Sequence, residues 1–379
     1  MATSQDTSGG GTDSRKSLKG EVVYIRAFDL AYDMERLQIE RILGQEVQEC
    51  SVGPSKPGPK QAFFYRPQMV TLPARTYGSS LGPLEVALTV KVFNVGAVSI
   101  QARIGFEVAE IGNLVDYYGL ELDGRSVETE MMRLAQQARD ELEPFLIRPV
   151  SALGEGEGYT VFCIYQLPGA DGERSRRTED WLSDHRRAVA GLLTQERNAA
   201  RLSEQEAAES TERYLTYYET DLVVADWDAA LVVGERGGLE EVIHIMELAN
   251  VQLAELAAYD RVLDGALEVA YRDLARSRRV SRDVRRRLRE IRIDLARLND
   301  ELLNITKFFG DWHLARLYQN VSARFHLGDW HGIITVKLRT LAELYQLLYQ
   351  DRVNSWMVIL ETTIVLLFIL DVLLLLAGL

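Results

Sequence analysis

Cysteine is scarce in this chain: Cys50 and Cys163 are its whole complement, too few for a disulfide framework. A reducing compartment suits that usage, and Cys163 falls in an apolar run where a thiol serves as a small buried hydrophobe. Proline is confined to Pro54 through Pro168 and absent from all the residues that follow. That break marks a turn-rich region giving way to a helical one. A basic excess is also missing. With 43 Lys and Arg against 56 Asp and Glu, the net charge is -13, which argues against nucleic acid as a partner. Residues 1–19 lack the apolar core of a secretory signal, and Asp6 and Asp13 do not suit a transit peptide, so they read as a flexible tail. No P-loop, GxGxxG, GxSxG, CxxC pair or HExxH occurs, and GEGEG at 154–158 lacks the Lys and Ser/Thr of a phosphate loop. No catalytic residue and no cofactor is therefore expected, and the chain does not read as an enzyme.

What is present in quantity is apolar surface at the C-terminus. From Trp356 to Leu379 the chain reads WMVILETTIVLLFILDVLLLLAGL. As a helix it is about 36 Å long, enough for a hydrocarbon core of about 30 Å. Lys337, Arg339 and Arg352 precede it and no basic residue follows, so the positive-inside bias predicts the N-terminal bulk on the cytoplasmic or matrix side, with the C-terminus at the far face. Trp356 suits an interfacial anchor. Glu361 and Asp371 interrupt the run, and an unpartnered carboxylate near mid-bilayer costs on the order of 2.5–3.5 kcal/mol. On a straight helix the two lie about 80° apart, too wide for one narrow stripe. Glu361 is near enough to the interface to reach headgroups. For Asp371 two readings stand: one acid in a ring lining an oligomer, or a neutral acid near the far interface.

Further upstream, Val86, Leu88, Val90 and Val92 alternate with Glu85, Ala87, Thr89 and Lys91. The alternation resumes after Asn94-Val95-Gly96 at Val98, Ile100, Ala102, Ile104 and Phe106. This spacing predicts a β-hairpin. Runs 21–28 and 159–165 read as further strands, and 34–43 and 126–142 carry helix-spaced apolar positions. The order β-α-β-β-α-β predicts an α+β, ferredoxin-like split βαβ domain over 20–167. The loop SVGPSKPGP, an extra strand around AFFYRPQMV and a short helix at 111–118 are its insertions. Residues 168–178 read as a linker.

The part from 179 to 354 reads as a helical stalk. It begins with a charged helix over 177–213 and a short strand pair at 220–234. Leu239, Val242, Met246, Ala249, Leu253, Leu256, Leu263, Leu267, Ala270 and Leu274 step by threes and fours, interrupted at Asp260; a second stripe runs from Val284 to Phe309. Together they predict a long antiparallel hairpin of coiled-coil type. Arg278, Arg279, Arg282, Arg285, Arg286 and Arg287 crowd its tip. They read either as a docking point for something acidic or as a solvated tip paired to Asp283, Glu290 and Asp294. Gly310-Asp311-Trp312-His313 recurs as Gly328-Asp329-Trp330-His331. Glycine closing one helix and aspartate capping the next explain the repeat. The weaker alternative gathers His313, His326, His331, Asp311 and Asp329 around a metal, though no tight ligand spacing supports it. His185 and His244 stand alone in helical patterns, as partly buried histidines do.

The segments DLVVADWDAALVV, LYQNVSARFHLGDWHGIITVKLRTLAELYQLL and LETTIVLLFILDVLLLL, within residues 219–379, resemble the family named for proteins required for meiotic nuclear division. The resemblance implies a membrane-anchored, non-enzymatic protein acting in a larger complex, with Leu360-Glu361 at the start of the last helix. The layout is also similar to CorA-type magnesium channels, but it has one span, at 355–379, and no Gly-Met-Asn loop. The expectation is a tail-anchored, homo-oligomeric scaffold whose partners are the lipid bilayer, further copies of itself and a protein on the soluble side. An oligomeric channel built on the terminal helices is the alternative. A membrane-held ligand sensor or enzyme using the N-terminal domain near FFYRP at 63–67 is the third.

Overall fold

The computed structural model describes residues 17–35, 39–49, 67–150, 152–167, 177–275, 293 and 312–376. The chain divides into two compact units, one of residues 1–255 with 305–327, the other of 256–304 with 328–379.

Alternation sets the frame of the first unit. Strands β1 (Leu18–Asp29), β2 (Gly82–Phe93), β3 (Ala97–Val108) and β4 (Glu157–Gln166) pair antiparallel in the order β2-β3-β1-β4. Val22 lies opposite Ile104 and Phe162, and Val90 opposite Ile100. The β2–β3 turn depends on Gly96, at φ 89°, whose carbonyl accepts from both Leu30 and Ala31 backbone N–H groups. Two more strands, β5 (Leu222–Ala225) and β6 (Ala229–Val233), extend this sheet, because β6 pairs parallel to β4 with Phe162 opposite Leu231. Short strands at Gln48–Glu49, Gln68–Thr71, Arg75–Ser79 and Tyr214–Leu215 bring the sheet to ten strands.

The class is α+β, as expected, but two details differ. The order β2-β3-β1-β4 is that of a split βαβ sheet, yet the described residues of 34–43 form no helix. Met34 ends a short strand, Arg41–Ile42 forms another, and Leu43 takes a positive φ of 54°, which an α-helix does not accommodate. Strands β5 and β6, which follow the expected linker at 168–178, also join the sheet of β4 and lie in the same compact unit. The charged segment 177–213 forms two helices, α2 (Thr178–Leu193) and α3 (Glu204–Glu212), separated at Gln195 by another positive φ.

One face of the sheet is apolar. Val22, Phe28, Val90, Ile100, Ile104 and Phe162 pack in one cluster with Met131, Leu134 and Leu142 of α1 (Val127–Leu142) and Trp181, Leu182 and Val189 of α2. Each fully buried aliphatic side chain there stabilises by about 1.5–3 kcal/mol. Helix α1 starts where Ser126 Oγ accepts from the Thr129 N–H, with Glu128 and Glu130 in the first turn complementing the helix dipole. The opposite face is covered by the first half of α4 (Arg236–Ala275), where Ile243, Ile245, Met246, Leu248, Ala249 and Val251 are all buried. That half is buried on nearly every side, so it is core rather than stalk. Helix α5 (Trp312–Arg324) packs in this unit too, its Tyr318 hydroxyl donating to Gln252 Oε1.

In the second unit, Leu256, Leu263 and Ala270 of α4 and Ile334 and Leu341 of α6 (Leu327–Leu376) are buried at seven-residue intervals. Lys337 Nζ of α6 lies 2.7 Å from Asp260 Oδ1 and 2.6 Å from Asp264 Oδ1. The stripe expected from Val284 to Phe309 lies outside the described residues, apart from an exposed Ile293. Helix α6 continues unbroken for 50 residues.

Candidate functional site

Two features of the described residues depart from an ordinary globular interior. One is polar and buried, the other apolar and exposed.

The polar feature lies between the sheet and α4. Lys91 on β2 and Ser99 on β3 are cross-strand neighbours, and both reach Glu247 of α4. Lys91 Nζ donates to Glu247 Oε2 at 2.5 Å, and Ser99 Oγ to Glu247 Oε1 at 2.7 Å. Glu247 is fully buried and Lys91 is 5% exposed. One turn back along α4, His244 Nδ1 lies 3.7 Å from Glu247 Oε2. A further turn back, Glu240 accepts two hydrogen bonds from Arg103 of β3, which also contacts Glu21 of β1 at 3.3 Å. Glu240, His244 and Glu247 thus present one helix stripe to a polar strip of the sheet. Burial alone would raise the Glu247 carboxyl, but the Lys91 charge and the adjacent His244 outweigh it and hold it at about 2. Burial pushes the His244 imidazole below its ordinary value, against the pull of Glu247. Burial also pushes the Cys163 thiol up, so this cysteine is inert packing rather than a nucleophile. With no solvent access at Glu247, the seam orients α4 and offers no place for a substrate.

A groove of about 600 Å³ lies elsewhere in the same unit, between α1 and the strands at 68–93, lined in part by Arg75, Tyr77, Glu130, Arg133 and Glu141. Arg133 is held by Glu130 and Gln137, and Glu141 accepts from the Leu43 N–H. Most of its charge is spent on the fold.

The apolar feature is the end of α6. Residues Trp356–Leu373 form a stretch long and apolar enough to cross a membrane, with none of it buried. An exposed apolar surface of this extent marks a membrane or protein contact, since a helix facing water ordinarily shows it a polar face. Glu361 and Asp371 are exposed on it, and Thr362 and Thr363 satisfy their hydroxyls on carbonyls four residues back. Trp356 is at its start and exposed.

Among the described residues, the others singled out by the sequence do not converge. His313 packs 4.8 Å from the Tyr217 ring and His326 5.2 Å from Trp227. Asp329 is in the first turn of α6, with His331 on the same helix. Asp311, Arg278, Arg279, Arg282, Arg285, Arg286 and Arg287 lie outside the described residues, as do Cys50 and FFYR at 63–66. Among the described residues no group of three or more His, Cys, Asp or Glu is set to hold a metal ion. The helix break expected at Gly328 occurs at His326, which takes a φ of 51°, so Gly328 and Asp329 already belong to α6. The Lys91–Glu247 pair was missed by sequence reasoning. Its signal was a carboxylate one position from the apolar stripe at Met246.

No solved structure matches the chain. Among curated proteins, "Uncharacterized protein MJ0711" of Methanocaldococcus jannaschii is 22% identical over 254 residues, covering 65% of this chain and 74% of that protein. The family described as "Uncharacterized protein MJ0711, N-terminal domain" matches residues 19–240, more than half of the chain, spanning nearly all of the ten-stranded sheet with α1, α2 and α3 and ending within the first turns of α4. The chain belongs to this MJ0711 N-terminal domain family.

Proposed function

We propose that this is a membrane-anchored scaffold, held in the bilayer by the 356–373 segment of α6 and presenting its sheet domain to partners in the adjoining aqueous compartment. The observation that carries the reading is the fully exposed apolar stretch continuous with a helix of the second unit. The resemblance of residues 219–379 to the meiotic nuclear division family supports anchoring and assembly. The ferredoxin-like strand order at the centre of the sheet fits a domain that binds partners, and self-association through the heptad-spaced helices belongs to the same proposal. Lys337, Arg339 and Arg352 precede the span while 353–379 carry no base, which supports a cytoplasmic sheet domain.

Alkaline carbonate extraction of membranes from cells expressing the full chain tests the anchor. The protein stays in the pellet, and Leu367→Arg/Leu370→Arg releases it to the supernatant. Release of the unaltered protein would overturn the reading. In sealed vesicles, protease cleavage from the cytoplasmic face alone supports the orientation, and full protection from that face reverses it.

A further inference from the structure

Glu361 and Asp371 are the two charged groups of the stretch Trp356–Leu373, and neither makes a hydrogen bond or ion pair among the described residues. No Lys, Arg or His occurs from 353 to 379, so another copy of this span brings further acid and no counter-charge. A straight helix spreads the two carboxylates by about 80°. Wound at 3.5 residues per turn against a neighbour, the same helix brings them within about 50°. Glu361, Ile364, Phe368 and Asp371 then step by three, four and three, which is the seam a second helix packs against. Both acids fall on the seam, with two apolar layers between them and a rise of about 15 Å from one to the other. An ionisable group in hydrocarbon persists where protein or water answers it, and the answering group for a carboxylate is a base.

We propose that the 361–371 seam docks a membrane-spanning helix of a different protein that carries basic residues at one or both of these two depths. This rests on the anchoring reading above and names the partner of that same segment. The two carboxylates select the partner by charge, while Ile364 and Phe368 supply the packing between them. A neutral helix of equal hydrophobicity gains only the packing, so the discrimination between the two is electrostatic.

The test uses the full chain reconstituted into phosphatidylcholine vesicles and labelled outside the span. The probe is a synthetic Leu/Ala membrane-spanning peptide bearing two lysines ten residues apart, compared with the same peptide bearing norleucine. Carbonate extraction of the vesicles comes first: release of the protein overturns the anchoring reading, and this proposal with it. With the protein retained, energy transfer should report at least tenfold tighter association of the lysine peptide. Glu361→Gln/Asp371→Asn should abolish the preference, and Glu361→Lys/Asp371→Lys should transfer it to a peptide carrying two aspartates. Equal association of both peptides would overturn the charged-partner proposal while leaving the anchor standing. So would a lysine preference that survives the Gln/Asn variant, or transfer between protein copies that excludes the peptide.

Discussion

Lys91 and Glu247 are separated by 156 positions in sequence and by 2.5 Å in the fold, with Ser99 occupying the second carboxylate oxygen. A buried pair of this kind stabilises little relative to apolar residues of the same volume, but breaking it strands a charge in the core. Lys91→Met should therefore cost about 3–5 kcal/mol, and adding Glu247→Leu should restore most of it. Thermal unfolding of the detergent-solubilised chain, arranged as a double-mutant cycle, reads the recovery directly. A double variant as unstable as Lys91→Met alone would show that the cost lies in packing rather than in the orphaned carboxylate.

The same seam predicts an acid-sensitive fold. His244 in the fold is held below its ordinary value of 6.5, so as pH falls through 6.5 the unfolded chain takes up a proton that the folded chain refuses, and stability declines. Glu247 is likewise depressed, from 4.5 to about 2. Its contribution is complete above pH 4.5 and drains away as pH falls toward 2, for a total of about 3 kcal/mol. Melting temperature should thus fall in two stages. His244→Gln should flatten the upper one, which sets in as pH falls through 6.5, and should also weaken the lower one, because His244 joins Lys91 in holding the Glu247 carboxyl down.

Gly96 is the point where the β2–β3 hairpin meets the chain leaving β1. A Cβ added there would stand 2.3 Å from the Ala31 carbonyl oxygen, on a residue at φ 89°. Gly96→Ala should cost about 2–4 kcal/mol, from backbone strain together with a forced shift of Ala31. Gly237→Ala, inside α4 with nothing within 4 Å of the new Cβ, is the matched control and should be neutral or slightly stabilising. Chemical denaturation of the two variants side by side measures the contrast.

Alternation made the β2–β3 hairpin legible, and hydropathy did the same for the apolar end of α6, because both signals are local. The second sheet face was not legible for a physical reason. Lys91, Ser99, Gln101 and Arg103 carry the polarity of a solvent-facing strip, and only α4, more than a hundred residues later, turns that strip into an interior. The helix expected at 34–43 had the right apolar spacing, but Leu43 and Gly44 both take positive φ, and Met34 and Arg41–Ile42 pair in short strands. Of the candidate site, the apolar helix at 356–373 was legible in advance, whereas the buried pair needed a contact between elements distant in sequence.

Lys337 supplies the last prediction, in the second unit. Its ammonium sits between Asp260 and Asp264, one turn apart on α4, and these acids raise its pKa against the opposing effect of burial. Asp260 is the residue that interrupts the apolar stripe of α4, so the pair converts a packing fault into a registered contact between α4 and α6. Partial exposure and solvent screening keep the energy small, on the order of 1 kcal/mol for Lys337→Met. Lys337→Glu should cost more, since it sets a third carboxylate beside two. Salt separates this from a packing effect: in 1 M NaCl the gap between the Met and Glu variants should shrink by half or more, because the Debye length falls to about 3 Å. Hydrogen exchange of the amides flanking Ile334 and Leu341 is the measurement, and a gap that stays constant with salt would assign the contact to side-chain packing instead.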